Sequence, residues 1–191
     1  MQVAEIIDLT EVEGPGLRSA IWLQGCSINC LNCCNQEFIP NVGGTLFNPV
    51  DLAHRFIEVK KTNPNVQGIT ILGGEPLDQS KELYLFIKEI KNKSDLSIML
   101  FTGYKYEKAL QDELKKNVIE LADLVIAGPF MQNFISNKRR WIGSSNQTVH
   151  FITDRYKYLE DNWEPYYKEI EFHIKDGEIL INGMPIDSGI F

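Results

Sequence analysis

Cys26, Cys30 and Cys33 share one short loop with the spacing C-x-x-x-C-x-x-C, in the run Gly25-Cys26-Ser27-Ile28-Asn29-Cys30-Leu31-Asn32-Cys33-Cys34-Asn35. Three thiolates this close can hold an iron–sulfur cube. A [4Fe–4S] cluster ordinarily takes four cysteines, so three would leave one iron uncovered and able to bind a substrate or cofactor. Catalytic metal sites keep such an open position. The alternative is a structural zinc site, which usually draws two ligands from each of two knuckles. No second knuckle exists: all four cysteines lie between 26 and 34, and the nearest later histidine, His54, falls in an expected helix. Cys34 directly follows Cys33. Neighbours in an extended segment point opposite ways, so Cys34 is expected to be a small apolar wall residue and not a fourth ligand.

The loop follows Ser19 to Leu23, which reads as a short buried strand. Asn48-Pro49 is a helix start, with Asn as cap and Pro at the first helical position. Leu52, Phe56 and Val59 recur after it at helical spacing. Gly68 to Leu72 is a second strand, ended by Gly73-Gly74. A helix follows with Leu83, Phe86, Ile87 and Ile90 on one face. Ser97 to Phe101 is the next strand, ended by Thr102-Gly103; a third helix spans roughly Tyr106 to Leu121; Leu124 to Ile126 is another strand.

Apolar strands alternating with helices indicate a parallel sheet covered by helices. A complete eight-fold barrel needs about 250 residues, and this chain has 191. The expected fold is therefore α/β: an incomplete barrel or an open parallel sheet. Ligands of such sheets sit beyond the C-terminal strand ends. The cysteine loop, Gly73-Gly74-Glu75-Pro76 and Thr102-Gly103 all fall there. The tail alternates in Ile170 to Ile174 and Glu178 to Ile181, with Asp176-Gly177 between them. This predicts a C-terminal β-hairpin, expected to cover a sheet edge, with a partner or substrate contact as the alternative.

The chain should form a single domain, with residues 1–150 as its core and 151–191 as an extension. No apolar run is long enough to span a membrane. The first residues lack the basic and apolar regions of a signal peptide, and cysteines confined to one loop cannot staple distant segments. A cytoplasmic location is expected. Nucleic-acid binders gain affinity from many Lys and Arg contacts to phosphate; a net charge of −7, with only Lys138-Arg139-Arg140 as a short basic patch, weighs against one.

Together these residues resemble the radical S-adenosylmethionine superfamily. Its defining loop is C-x-x-x-C-x-x-C, and its Gly-Gly-Glu-Pro stretch after the next strand is matched by Gly73, Gly74, Glu75 and Pro76. A narrower resemblance is to the activating enzymes of anaerobic (class III) ribonucleotide reductases, which are glycyl-radical-enzyme activases. It rests on Gly14-Pro15-Gly16-Leu17-Arg18, on Thr102-Gly103-Tyr104, and on Trp141 with Gly143-Ser144-Ser145-Asn146-Gln147, in order over roughly residues 6–150.

The resemblance implies a [4Fe–4S] cluster held by Cys26, Cys30 and Cys33, with S-adenosylmethionine on the open iron. Gly73, Gly74 and Glu75 would orient its methionine end, with Pro76 closing the motif. Thr102 and Asn146 are implied cofactor contacts, and Arg18 is implied near the mouth. Cys34 takes a position that is typically aromatic in the superfamily and packs near the adenine. The implied partners are a glycyl-radical enzyme, namely an anaerobic ribonucleotide reductase, and a flavodoxin- or ferredoxin-type electron donor. Two other readings remain open: a radical S-adenosylmethionine enzyme acting on a small molecule or peptide, and a zinc-binding interaction module. This chain also runs about forty residues past the last motif, where activases typically end sooner.

Overall fold

A computed structural model describes residues 1–136, 138–163, 169–175 and 177–183. In chain order the elements are β1 (Gln2–Thr10), β2 (Arg18–Leu23), β3 (Thr45–Leu46), α1 (Pro49–Thr62), β4 (Gly68–Gly73), α2 (Ser80–Lys93), β5 (Ser97–Thr102), α3 (Tyr106–Ala109), α4 (Glu113–Leu121), β6 (Leu124–Ala127), β7 (Thr148–Phe151), β8 (Ile170–Lys175) and β9 (Glu178–Gly183). The main sheet has the order β3-β1-β2-β4-β5-β6-β7. Its centre, β2-β4-β5-β6, is parallel. Antiparallel β1 and β3 extend one side and antiparallel β7 the other. The sheet is open, as expected for a chain too short to close a barrel.

Strand alternation sorts the two faces. Ile21, Leu23, Ile69, Ile71, Ile98 and Leu100 join Leu52, Phe56, Leu83, Phe86, Ile87 and Ile90 of α1 and α2 in the main core. The rings of Phe56 and Phe86 meet edge to face at 5.7 Å between centroids. The Asn48 side chain caps α1 by accepting from the backbone of Val50 (2.9 Å) and Asp51 (3.3 Å), a contact worth about 1 kcal/mol. On the other face, Ala20, Trp22, Leu72, Met99 and Phe101 look away from the helices. Trp141, Ile142, Tyr156 and Leu159 cover one part of that inner face.

Three expectations change. The third helix is two pieces, because Asp112 caps α4 by accepting from Lys115 N (3.1 Å) and interrupts the run. Arg18 does not lie near a mouth. It starts β2 opposite Gly68, at the end of the parallel strands away from the cysteines, and is wholly buried. Its guanidinium donates to Thr70 Oγ1 (2.8 Å), Pro15 O (2.9 Å), Tyr156 OH (2.8 Å) and Ile69 O (3.1 Å). Gly14 lets the turn fold over this side chain: a Cβ there would lie 2.8 Å from Arg18 Cδ.

The predicted hairpin exists as β8 and β9, but it is a separate two-stranded sheet and pairs with neither edge. It lies against the inner face, where Leu180 packs with Ile7, Ala20, Trp22 and Leu72. Gly183 N donates to Glu13 Oε1 (3.0 Å), Asn182 Nδ2 to Thr10 Oγ1 (3.0 Å), and Glu11 N to Glu171 Oε1 (2.8 Å). Asp176 of the expected turn lies outside the described residues. No described helix is long and apolar enough to cross a membrane.

Candidate cluster and cofactor site

The cysteine loop leaves β2 after Leu23 and is stitched to its surroundings by backbone bonds. Gly25 N donates to Phe38 O (2.8 Å) and Cys26 N to Ile39 O (3.0 Å). Asn29 and Asn32, each just before a cysteine, take left-handed φ of 51° and 56°. Asn tolerates that region better than most residues, so the chain turns sharply before Cys30 and again before Cys33. Cys26, Cys30 and Cys33 are half-buried and Cys34 is exposed as a residue.

The loop is therefore a series of turns and not an extended segment, and the expected opposition of Cys33 and Cys34 does not hold. The two neighbouring thiols interact. That contact brings Cys33 down to about 6 and pushes Cys34 up. Burial raises Cys26 and Cys30, and Cys30 also feels the charges of Cys33 and Cys26. Among the described residues, no three Cys, His, Asp or Glu side chains gather tightly enough to share one metal ion, the arrangement a zinc knuckle requires.

Gly73 and Gly74 press the end of β4 against this loop. A Cβ on Gly73, whose φ is +113°, would lie 2.3 Å from Leu23 N; one on Gly74 would lie 2.2 Å from Gly25 O. Both glycines are thus required by backbone approach alone. Gly74 N donates to Leu23 O (2.7 Å) and Glu75 N to Gly25 O (2.8 Å). The Glu75 side chain is only 1% exposed. It accepts from Leu77 N (2.9 Å), Thr102 Oγ1 (2.8 Å) and Gly103 N (2.7 Å). Burial still raises its carboxyl to about 7. Glu75 thus braces the ends of β4 and β5 through Thr102 and Gly103 while remaining on the cavity side.

These groups line one cavity of about 780 Å³ that runs from the cysteines down the inner face. Cys26, Cys30, Cys33, Cys34, Gly73, Gly74, Glu75, Pro76 and Thr102 all belong to its wall; Arg18 does not. Asn146 also lies off the wall, next to Gln147, which is on it. Its Nδ2 donates to Pro129 O (2.8 Å), while its buried Oδ1 has no partner. Glu5, Glu13, Glu37 and Glu75 are the acidic residues of the wall, and none of its described residues is cationic. Burial raises Glu13 to about 7 as well, against the lowering effect of the Gly183 N–H.

Sequence reasoning missed several contributors. Asp78 accepts from Ser27 N (2.7 Å), Ser27 Oγ (2.9 Å) and Tyr104 OH (2.8 Å). The signal was present in Tyr104 of the Thr-Gly-Tyr motif and in Asp78, two residues past Pro76. Trp22 and Phe101 also line the cavity, as alternate residues of strands that read as uniformly apolar. Leu180 to Gly183 line it from the hairpin, and no local pattern could have placed them there.

Residues 12–150 match the family described as a 4Fe-4S single cluster domain. The chain is 30% identical to the anaerobic ribonucleoside-triphosphate reductase-activating protein of Haemophilus influenzae, over 73% of this chain and 90% of that one. It is 32% identical to the protein of that name from Enterobacteria phage T4, over 75% and 89%. The Escherichia coli protein of that name is 27% identical over 74% and 92%.

Proposed function

From the premise that this chain belongs to the 4Fe-4S single cluster domain family, among the activating enzymes of anaerobic ribonucleotide reductases, we infer that it is a radical S-adenosylmethionine activase acting on a glycine of its reductase. One observation carries the reading: three cysteines and the Gly-Gly turn converge on one cavity whose ionisable wall groups, among the described residues, are carboxyls and thiols. Such a wall favours a ligand carrying positive charge, as a sulfonium and an ammonium do.

The donor set fits the two groups. Cys26, Cys30 and Cys33 would hold the cluster, and the low-lying Cys33 thiol is the readiest to give a thiolate ligand. Gly73 and Gly74 keep side chains out of the space beside it. Asn146, beside Gln147 of the wall, holds the loop by donating to Pro129 O. A cluster and S-adenosylmethionine held there would supply one-electron reductive cleavage of the sulfonium C–S bond, to methionine and a 5′-deoxyadenosyl radical able to take a hydrogen atom from a glycine Cα.

The chain's own residues position and shield. Asp78 fixes the loop at Ser27, Glu75 and Thr102 hold two strand ends in register, and Trp22, Leu72, Phe101 and Leu180 make the cavity interior apolar. A flavodoxin- or ferredoxin-type protein is the proposed electron donor.

The test is anaerobic reconstitution. About four irons per chain, as one cube requires, should be lost in Cys26→Ala, Cys30→Ala and Cys33→Ala and kept in Cys34→Ala. Stoichiometric zinc without iron would overturn the reading.

A further inference from the structure

The hairpin begins twenty residues beyond the stretch matched by the family, and its two faces differ. One face carries Leu180 and Asn182, which pack on the inner face of the main sheet. The other carries Phe172 and Ile174 of β8 and Ile179 and Ile181 of β9. These four are 60%, 77%, 65% and 43% exposed. They are directly opposed in register, Phe172 to Ile181 and Ile174 to Ile179, so they form one continuous apolar strip. A strip of this kind is unusual on a solvent face and marks an interaction surface more often than chance.

Its place in the fold says what covers it. Gly183 is bonded to Glu13 in the β1–β2 turn, at the end of the sheet away from the cysteines. Leu180 packs beside Trp22 and Leu72, one residue from the cysteine-side ends of β2 and β4. β9 therefore runs from the mouth toward the floor, and the Ile174–Ile179 pair stands at the level of the mouth. Ile181 belongs both to the strip and to the cavity wall. Ile135, 64% exposed, is a further apolar residue of the wall.

Resting on the activase reading above, we propose that the outward face of β8–β9 is the docking surface for the polypeptide that delivers its glycine into the cavity. Hydrogen transfer requires reacting atoms about 3–3.5 Å apart. A glycine embedded in a protein can come that close only if its flanking chain covers the mouth. The strip borders that mouth and is continuous with its wall, so it lies inside the footprint. The partner surface it fits is apolar and flanks the glycine-bearing segment.

The test pairs the holo-protein with the anaerobic ribonucleoside-triphosphate reductase of the same organism. The double variant Ile174→Lys/Ile179→Glu replaces the exposed pair with opposite charges directly across the strands, a pairing that supports the hairpin. Iron content and 5′-deoxyadenosine release without the reductase should match wild type. Affinity for the reductase, measured by sedimentation, should fall more than tenfold, and the glycyl-radical yield with it. Ile174→Thr/Ile179→Thr keeps strand propensity and should show the same loss. It decides the matter if the charged variant unfolds. Unchanged affinity in the Thr variant overturns the proposal. So does a wild-type dimer, formed without reductase, that the variants dissolve, since the strip is then covered by a second copy. If wild type itself releases no 5′-deoxyadenosine, the activase reading has failed and the docking proposal falls with it.

Discussion

The backbone N–H of Ser27 donates to the Asp78 carboxylate at 2.7 Å, and the Ser27 hydroxyl donates to the same group at 2.9 Å. The residue after the first cysteine is thus tied to the turn that follows Gly73 to Pro76. Tyr104 OH reaches the same carboxylate at 2.8 Å. Three motifs separated by dozens of residues meet on one side chain.

Asp78→Ala removes the acceptor of three exposed hydrogen bonds, a loss on the order of 1 kcal/mol. The loop should hold its cluster less firmly. Chelator-driven iron loss should be several-fold faster than in wild type, and Tyr104→Phe, which removes one donor, should be intermediate. Equal rates in all three proteins would mean that the tie at Ser27 does not position the loop.

Glu75 braces the ends of β4 and β5 through Thr102 and Gly103. Glu75→Ala should cost on the order of 2–3 kcal/mol of stability, read as a lowered Tm, and should weaken S-adenosylmethionine binding while iron per chain stays unchanged. Thr102→Val removes one of its donors and should give a smaller effect in the same direction. Loss of iron in Glu75→Ala would assign that residue to the cluster instead of to the cofactor.

Much of this site was legible because the chemistry is local. The cysteine spacing, the Gly-Gly turn and the apolar runs of β2, β4, β5 and β6 are each contiguous, and parallel topology brings their ends together. β1 was not legible: its pairing with β2 shifts register between Val3 and Glu5 and again between Ile7 and Thr10, which breaks the alternation that announces a strand. Arg18 was misplaced for a topological reason. Its Gly-Pro-Gly turn signals tight backbone, but only the antiparallel pairing of β1 with β2 puts that turn at the end away from the cysteines. The hairpin could be seen in the alternation of 170–181. Its seat on the inner face depends on Glu13 and Thr10, more than 150 residues away.

Arg18→Ala should be damaging without touching the cofactor. It removes a wholly buried guanidinium and its four hydrogen bonds, leaving Thr70 only its bond to Glu13 O and Tyr156 only its bond to Ser97, a loss on the order of 3 kcal/mol. Surviving folded protein should bind S-adenosylmethionine as wild type does. A selective loss of binding, with unchanged Tm, would return Arg18 to the mouth.

Glu13 makes stability depend on pH. Its carboxyl ionises near 7 in the fold because it is buried, and near the ordinary carboxylate value when unfolded. The folded state therefore holds the proton over the interval between, so stability is full below that interval and is lost as pH rises through about 7. Between pH 6 and 8 wild type should lose on the order of 1 kcal/mol through this group. Glu75, raised to about 7 as well, adds a slope of the same sign, so Glu13→Gln should make the slope shallower in chemical denaturation and leave the part due to Glu75. An unchanged slope would show that Glu13 is not the titrating group.

The central claim is that this chain makes a radical on its reductase, and electron paramagnetic resonance of the complete anaerobic mixture tests it most directly. With reduced holo-protein, S-adenosylmethionine and the anaerobic ribonucleoside-triphosphate reductase, the account predicts a persistent glycine-centred signal on the reductase. The signal should be absent when Cys33→Ala replaces the holo-protein. Fully loaded protein that turns over S-adenosylmethionine in the presence of the reductase, yet leaves no such signal, would contradict it.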